Sequence, residues 1–434
     1  MGAIVFSLFG LLFGTLAAGA WIGIALLSTA IGLALIFTGL PVDRLFPQYV
    51  FNILTTPDLV ALPLFILMGE FLFRTKLSET LFSGLAPWAG LLPGRLLHVN
   101  VVGCSIFAAI SGSSAATTQV VGRMTLKELL ARGYSPELAI GSLAGAGTLG
   151  FLIPPSTVMI MYGVLANELV LRLFTAGFIP GMLLAATFAA YIMIRSAMRP
   201  DMVPESERAM RHMPLRDRLA ALRDLAPVMF LILCVLGSMY GGIATPSEAA
   251  ALGVLGAFCV SWWQGALSPR ILRDIVLGAV QTCSVMGIII LAASVLGNIT
   301  STLGIPAAVT AIVTEMQLSP IVLIMALIAL YLVLGTALEG FSMIATTLPV
   351  VLPLVEAAGF DKVWFGIFMV LVVEMAQITP PVAFNFAVIQ NITGRSTAYI
   401  AKVTFPFLLI MILFALTLAA FPGIVTFLPD LLLG

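Results

Sequence analysis

Two pairs of adjacent prolines interrupt long apolar segments of the sequence, as "IPPS" at residues 153–156 and "ITPPV" at residues 378–382. Proline lacks an amide N–H and clashes with the carbonyl one turn earlier, so each pair predicts a broken helix. The breaks free carbonyl oxygens one turn before the prolines, among them those of Gly150 and Gln377. Unwound carbonyls of this kind coordinate Na⁺. The sequence therefore predicts two sites for a small cation.

A stretch of small and polar residues precedes each double proline. The first reads "ISGSSAATTQ" at 110–119 and the second "LGTALEGFSMIATT" at 334–347. Both are too polar for a helix that faces lipid, so we predict two re-entrant helical hairpins with these residues at their tips. Glu339 is a carboxylate at such a depth, which by default marks a functional site. The alternative is that the small side chains serve only close helix packing.

The composition places these motifs in a membrane. Of 434 residues, 61% are hydrophobic and 9% are charged. Apolar runs of about 20 residues, the length that spans a bilayer, recur along the chain. A transmembrane β-barrel shows alternating polar and apolar residues instead. We therefore predict an all-α polytopic membrane protein. The formal net charge is zero, so nothing indicates nucleic acid as a partner.

The pattern divides the chain into five segments. A polar, arginine-rich stretch at 195–224 separates two apolar halves, and the positive-inside rule places it in the cytoplasm. The predicted organisation is scaffold helices at 1–57, a first repeat at 58–194 with a hairpin at about 99–130 and a broken helix at about 137–165, the linker at 195–224, scaffold helices at 225–275, and a second repeat at 276–428 with a hairpin at about 322–355 and a broken helix at about 363–390.

The two halves carry the same signals in the same order. Gly359 lies 226 positions after Gly133, and Pro380 lies 226 positions after Pro154. Self-similarity at a fixed offset indicates an internal repeat. The segment before the first double proline is rich in Lys and Arg, whereas its equivalent in the second half carries only Lys362, so the two are expected on opposite sides of the membrane. This predicts inverted-topology repeats, an architecture of secondary transporters.

These motifs resemble those of one family. "PGRLLHVNVVGCSIFAAISGSSAATT", "ARGYSPELAIGSLAGAGTLGFLIPPSTVMIMYG" and "ITPPVAFNFAVI" are similar to segments of the large membrane subunit (the M, or DctM-like, subunit) of tripartite ATP-independent periplasmic (TRAP) transporters. The resemblance spans essentially the whole chain. It implies an elevator-type, sodium-coupled importer of organic acids in the bacterial inner membrane, with no enzymatic activity and no cofactor besides the coupling ion. It also implies two partners, a small four-helix membrane subunit (Q) and a periplasmic substrate-binding protein (P).

The resemblance further implies where ligands bind. Sodium sites of the family lie at the hairpin tips and the paired-proline breaks, and the substrate is expected between the two hairpins. The sodium candidates in this sequence are Ser111, Gly112, Ser113, Ser114, Gly147, Gly150, Ile153, Pro154, Gly335, Thr336, Gln377, Thr379 and Pro380. The substrate candidates are Ser113, Thr117, Ser156, Glu339, Ser342 and Asn385.

The sequence departs from the family at Glu339, where an aspartate is usual, and at Gln377, where small or apolar residues are commoner, so substrate identity does not transfer. One alternative is a standalone sodium-coupled transporter of a related fold that works without a binding protein. An intramembrane enzyme is a second, but it needs clustered metal ligands or a nucleophile–base pair, and His98 and His212 lie apart from such residues. A channel is disfavoured by the paired, occluded sites.

Overall fold

The computed structural model describes residues 2–39, 41–75, 79–204, 214–315, 319–336, 338–380 and 383–433. Pro381 of the second double proline lies outside these residues, as do residues 205–213 of the arginine-rich linker, which include His212. The helices are α1 Gly2–Ala17, α2 Ile22–Phe37, α3 Val42–Leu54, α4 Ala61–Arg74, α5 Glu79–Ala89, α6 Leu97–Ser111, α7 Ser114–Ala131, α8 Pro136–Gly147, α9 Leu149–Leu152, α10 Thr157–Ala166, α11 Val170–Met198, α12 Leu215–Tyr240, α13 Pro246–Trp263, α14 Pro269–Thr302, α15 Ile305–Glu315, α16 Pro320–Leu334, α17 Gly340–Ala357, α18 Lys362–Ala376, α19 Phe384–Thr393, α20 Thr397–Ala420 and α21 Gly423–Leu433.

The helical segments differ in how much of their apolar surface the protein itself covers. Within the described residues, six segments are long and apolar enough to cross a membrane, or seven if the bent pair Phe46–Leu54 and Pro57–Arg74 forms one span. The most apolar window of Pro136–Ala166 is 94% buried inside the protein, whereas that of Arg216–Tyr240 is 28% buried. The segment with the first double proline is therefore internal. Internal position is what allows a backbone to break at membrane depth.

Two series of helices surround the double prolines, α6 to α11 and α16 to α20, and three pairs of helices match between them in order and length. α6 and α16 each have 15 residues, α7 and α17 each have 18, and α10 and α19 each have 10. A glycine with positive φ follows both 18-residue helices, Gly133 at 87° and Gly359 at 88°. Glycine ends a helix in this way because it has no Cβ that clashes in the left-handed region. The opposite orientation of the two series across the membrane stays a prediction.

The two series pack crosswise. α7 contacts α19 and α8 contacts α20, while α17 contacts α10 and α18 contacts α11. Among the other helices, α14 packs against α2 and α4 and also against α17, and α13 packs against α4 and α12. Each series therefore completes the packing of the other. The two tips and the two breaks lie where the series meet.

Candidate functional site

The first double proline lies in a true interruption of the helix. α8 ends at Gly147, the single-turn helix α9 follows, and Ile153 is extended with φ −84° and ψ 124°. α10 then begins after Ser156, whose hydroxyl accepts the backbone N–H of Met159 at 3.3 Å. Pro154 lies between these ends and is buried, like its neighbours. No described donor bonds the carbonyl of Gly150, whose usual helical donor is a proline.

The first hairpin tip lies directly on this break. α6 ends at Ser111, and Gly112 turns the chain with φ 56°. The Gly112 carbonyl accepts the Thr157 hydroxyl at 2.7 Å and the Thr157 N–H at 3.3 Å. A Cβ on Gly112 would lie 2.8 Å from the Pro155 carbonyl oxygen, so the tip needs glycine for its contact as well as for its φ. The tip and the broken helix thus form one bonded unit.

Hydroxyl groups satisfy the turn inside this tip. The Ser113 hydroxyl accepts the N–H of Ala116 at 3.4 Å and caps α7. The Thr117 hydroxyl donates to the Ser113 carbonyl at 2.7 Å and lies 3.1 Å from the Ser111 hydroxyl. A Cβ on Gly150 would lie 2.5 Å from the Cα of Ser114, so the break touches the start of α7. The first tip therefore presents several oxygens in a small, buried volume.

The second tip is more open. α16 ends at Leu334 and Gly335 follows as its C-cap, against the side chain of Ala376. The Thr336 hydroxyl donates to the Val333 carbonyl at 2.7 Å. Glu339 is the N-cap of α17 and is exposed, and its carboxylate accepts the Ser342 hydroxyl at 3.4 Å. A carboxylate at a helix N-terminus meets the positive end of the helix dipole.

The second break differs from the prediction in one respect. α18 ends at Ala376, and Thr379 and Pro380 follow outside any helix. The carbonyl of Gln377 was expected to be free, but it accepts the backbone N–H of Asn385 at 3.3 Å, and the Ala376 carbonyl accepts the N–H of Thr379 at 3.2 Å. Asn385, at the start of α19, therefore lies against the broken end of α18. The N–H groups of Asn385 and Thr379 thus replace the helical donors that proline removes.

Glu374 is a functional candidate that the sequence reasoning missed. It lies near the end of α18, has an exposed fraction of 0%, and contacts the other series. One carboxylate oxygen accepts the Phe151 N–H at 2.8 Å, and the other lies 2.8 Å from the Ser114 hydroxyl. A lone carboxylate in an apolar helix is itself a signal of function, and the sequence reasoning applied that rule only to Glu339.

Asn385 also reaches across the two series. Its side-chain nitrogen donates to the Ser114 hydroxyl at 3.0 Å, so it joins the first tip although it follows the second break. The rings of Phe151 and Phe341 pack edge to face with centroids 5.4 Å apart, which links the first break to the second tip. The structure thus places the predicted ligand candidates in two sets. The first tip and break contain Ser111, Gly112, Ser113, Ser114, Thr117, Gly147, Gly150, Ile153, Pro154 and Ser156. The second tip and break contain Gly335, Thr336, Glu339, Ser342, Gln377, Thr379 and Pro380.

A cleft of about 650 Å³ extends from the first tip along α7 and α19. Ala115 at the tip, then Gln119, Arg123 and Lys127, line it at successive turns of α7, and Phe384 lines it from α19. Both cations are exposed. The cleft therefore offers an anion a positively charged route between the tip and the end of α7.

Solved structures include one with a similar fold. The YdaH transporter of Alcanivorax borkumensis has a TM-score of 0.64 and 15% identity to this chain, and the match covers 93% of this chain and 97% of that one. At this identity the likeness concerns the fold alone. Together with the apolar helices, the two tips and the two breaks, it defines the class: a multi-pass helical membrane protein that shares the fold of that structure.

The family follows from the sequence comparisons. The model of the DctM component of the tripartite ATP-independent periplasmic transporter matches residues 9–424, and the chain belongs to this family of transporter subunits. The C4-dicarboxylate TRAP transporter large permease protein DctM of Rhodobacter capsulatus is 31% identical over 98% of both chains. The isethionate TRAP transporter permease protein DctMQ of Oleidesulfovibrio alaskensis is 30% identical over 94% of this chain, which covers 62% of that protein.

Proposed function

We propose that this chain is the large transmembrane subunit of a sodium-coupled TRAP transporter that imports a small organic acid across the bacterial inner membrane. One observation carries the proposal: two hairpin tips lie against two broken helices, and the ring pair of Phe151 and Phe341 joins them. Broken backbone at membrane depth persists where it is buried in protein or lines a cavity, and secondary transporters hold ions and substrate at such breaks.

The proposed substrate is an organic anion. The cleft beside the first tip carries Arg123 and Lys127, which attract a carboxylate as it leaves toward the cytoplasm. α7 and α17 begin at the tips, and their N-terminal N–H groups favour negative charge. The two relatives described above are named for C4-dicarboxylate and isethionate, both small organic anions. These features support the class of substrate rather than one compound.

The proposed movement is an elevator. The crosswise series from α6 to α11 and from α16 to α20 would move as one transport domain because each covers the breaks of the other. The group formed by α2, α4, α13 and α14 would be the scaffold. A rigid transport domain keeps ions and substrate bound while the whole site changes sides.

Two partners complete the proposal. The family name describes a tripartite system, and the relative named DctMQ extends well beyond the part that this chain covers. We propose a small four-helix membrane subunit, Q, bound to the scaffold, and a periplasmic protein that delivers the substrate. The alternative, a standalone sodium-coupled transporter, differs in needing neither.

The test begins with the chain in its native host. The tagged protein is purified gently, and co-purifying proteins are identified by mass spectrometry. The assembly is then placed in liposomes, and uptake of radiolabelled C4-dicarboxylates and sulfonates is measured with an inward Na⁺ gradient, with and without the periplasmic protein encoded beside it. An equal K⁺ gradient at the same membrane potential is the control. Uptake that needs all three proteins and Na⁺ supports the proposal. Sodium-driven uptake by this chain alone would replace it with the standalone transporter.

A matched pair of variants tests the second break. The hydroxyls of Thr379 and Thr417 each donate to the carbonyl four residues earlier, at 2.7 and 2.8 Å, but Thr417 is an exposed residue near the end of α20. Thr379→Val is expected to raise the Na⁺ concentration for half-maximal uptake by about tenfold, the value of one lost polar ligand. Thr417→Val should leave it unchanged. Equal activation curves would remove Thr379 from the site.

A further inference from the structure

A cavity of about 400 Å³ lies between the proposed scaffold and the proposed transport domain. Its wall on the scaffold side is formed by α14 and by α3, which packs on α14. Its other wall is formed by α17 and the end of α10. Small-molecule sites in proteins have volumes of roughly 300–1,000 Å³. The cavity is therefore large enough for a ligand, and a ligand there would contact both parts of the protein.

The cavity corresponds, in the second half of the chain, to the cleft beside the first tip. Helices α7 and α17 begin 226 positions apart, at Ser114 and Gly340. At this offset the cleft residues Arg123, Leu126, Lys127, Asn391 and Thr393 correspond to the cavity residues Pro349, Leu352, Pro353, Leu165 and Asn167. Prolines thus stand in the cavity where the cleft has its two cations.

An organic anion has no cationic partner in this cavity. Among the lining residues that the structure describes, none is charged. Both α3 and α10 end at the cavity, where Thr56 and Asn167 line it, and the C-terminus of a helix carries partial negative charge. Pro353 has no N–H to donate to the Pro349 carbonyl. The cavity therefore disfavours the carboxylate that the cleft attracts.

Uncharged polar side chains line the cavity with hydrogen-bonding groups to spare. Five of them make no hydrogen bond within the described part of the chain: Tyr49, Asn52, Asn167, Ser294 and Ser301. Each of these hydroxyl and amide groups can both donate and accept. The hydroxyl groups of a ligand also donate and accept, so they match this lining better than an ion does.

We propose that the cavity binds an uncharged polyhydroxyl compound, either a free sugar or the sugar headgroup of a lipid, which holds the transport domain against the scaffold. The two walls already meet beside the cavity, because a Cβ on Gly297 of α14 would lie 3.6 Å from the ring of Pro349 in α17. A compound that bonds Asn52 and Ser301 on one wall and Asn167 on the other adds to this contact.

The consequence for transport is inhibition without competition. Movement of α17 past α14 separates the two walls, so a ligand bonded to both walls opposes that movement. The organic acid binds elsewhere in the proposed function, so its half-saturating concentration should stay the same while the maximal rate of uptake falls. This inference rests on the proposed elevator movement and adds a second, regulatory ligand to it.

The experiment uses maltose and decyl maltoside as probes and the full chain, purified with its partners in a polyoxyethylene detergent that carries no sugar. Thermal unfolding is measured in that detergent, and sodium-driven uptake is measured in liposomes, as each probe is added. Asn52→Leu and Ser301→Leu place an apolar side chain in the cavity at two exposed positions. We expect either variant to raise the probe concentration for half-maximal stabilisation and inhibition by at least about tenfold.

Ser284→Leu is the matched control. Ser284 is also an exposed serine of α14 without a hydrogen bond among the described residues, but it does not line the cavity. Sugars stabilise proteins in general because they are excluded from protein surfaces, and the control measures that effect. An effect of decyl maltoside alone would assign the site to a lipid headgroup, and an effect of maltose would assign it to a free sugar.

Three results would overturn the inference. If Asn52→Leu and Ser301→Leu respond to both probes as the control does, the cavity binds no sugar. If these variants raise the half-saturating substrate concentration in the absence of sugar, the cavity belongs to the substrate route instead. If sugar binds but the maximal uptake rate stays the same, the ligand does not hold the transport domain. Wild-type protein without sodium-driven uptake would overturn the proposed function, while thermal unfolding would still decide whether the cavity binds sugar.

Discussion

The first and second hairpin tips use helices of equal length but satisfy their turns differently. At the first tip, the Gly112 carbonyl is bonded by Thr157 from the broken helix, and Ser114 is bonded by Asn385 from the other series. At the second tip, the Thr336 hydroxyl bonds Val333 and Ser342 bonds Glu339, all within the tip itself. The first tip therefore has hydrogen bonds to distant parts of the chain, whereas these two hydrogen bonds of the second tip stay within the tip.

The two breaks also differ in how their carbonyls are satisfied. In the first break, the Gly150 carbonyl has no described donor, and the segment depends on burial. In the second break, the Gln377 carbonyl is bonded by Asn385 only eight positions later, while Thr379 and Pro380 are partly or fully exposed. The two halves of the chain therefore break at corresponding double prolines, but different contacts complete each break. The first break is thus enclosed by protein, whereas the second tip and break are partly exposed.

The largest predicted effect concerns the glycine at each contact of tip and break. Gly150→Ala places a Cβ 2.5 Å from the Ser114 Cα, where only backbone faces it, and should destabilise the protein by about 3 kcal/mol. The equivalent position 226 residues later is Ala376, whose side chain rests on Gly335. Ala376→Gly should cost only about 1 kcal/mol. Thermal unfolding in detergent measures both. In the first half the glycine lies in the break and contacts the tip, whereas in the second half the glycine lies in the tip and contacts the break. Equal losses of stability would show that this exchange of positions does not matter.

The next effect separates backbone conformation from contact. Gly112 and Gly394 both cap a helix with positive φ, at 56° and 66°. A Cβ on Gly112 meets the Pro155 carbonyl at 2.8 Å, whereas a Cβ on Gly394 meets nothing within 4 Å. Both alanine variants carry the left-handed penalty, but Gly112→Ala should lose about 1–3 kcal/mol more. The same unfolding assay compares them, and a difference near zero would mean that the first tip is not fixed on the broken helix.

The smallest effect concerns the helix caps at the two tips. Ser113 caps α7 through its side chain, while Glu339 occupies the cap of α17 without a side-chain cap bond. Ser113→Ala should therefore destabilise the protein by about 1 kcal/mol. Glu339→Ala should change stability less but alter the half-maximal substrate concentration for uptake. Finding that Glu339→Ala is the more destabilising of the two would show that the second tip is also held by its cap.

Local chemistry made much of this arrangement predictable. Proline removes a donor wherever it occurs, so the break at Pro154 could be placed from the sequence, and the hydroxyl-rich stretch before it gave the tip at Gly112. These are properties of a few neighbouring residues. The family, and with it the transporter class, followed from the same motifs.

Long-range contacts limited the rest. Glu374 stands in an otherwise apolar helix, and its partner Ser114 is 260 positions away, so nothing nearby in the sequence indicated the pair. The bond from the Asn385 N–H to the Gln377 carbonyl joins the start of α19 to the end of α18, and a rule about one helix does not predict a bond between two helices. Both were decided by how the two series pack.

The crosswise packing has a consequence for the synthesis of the chain. Asn385 is made 271 positions after the Ser114 that it bonds, and α20 is made later still than the α8 that it covers. At a ribosomal rate of about 5–20 residues per second, the first tip and break wait some tens of seconds for the residues that complete them. During that time the insertion machinery must shelter an unfinished, polar hairpin from lipid. The first half of the chain thus reaches its final packing in the membrane only after the last quarter has been synthesised.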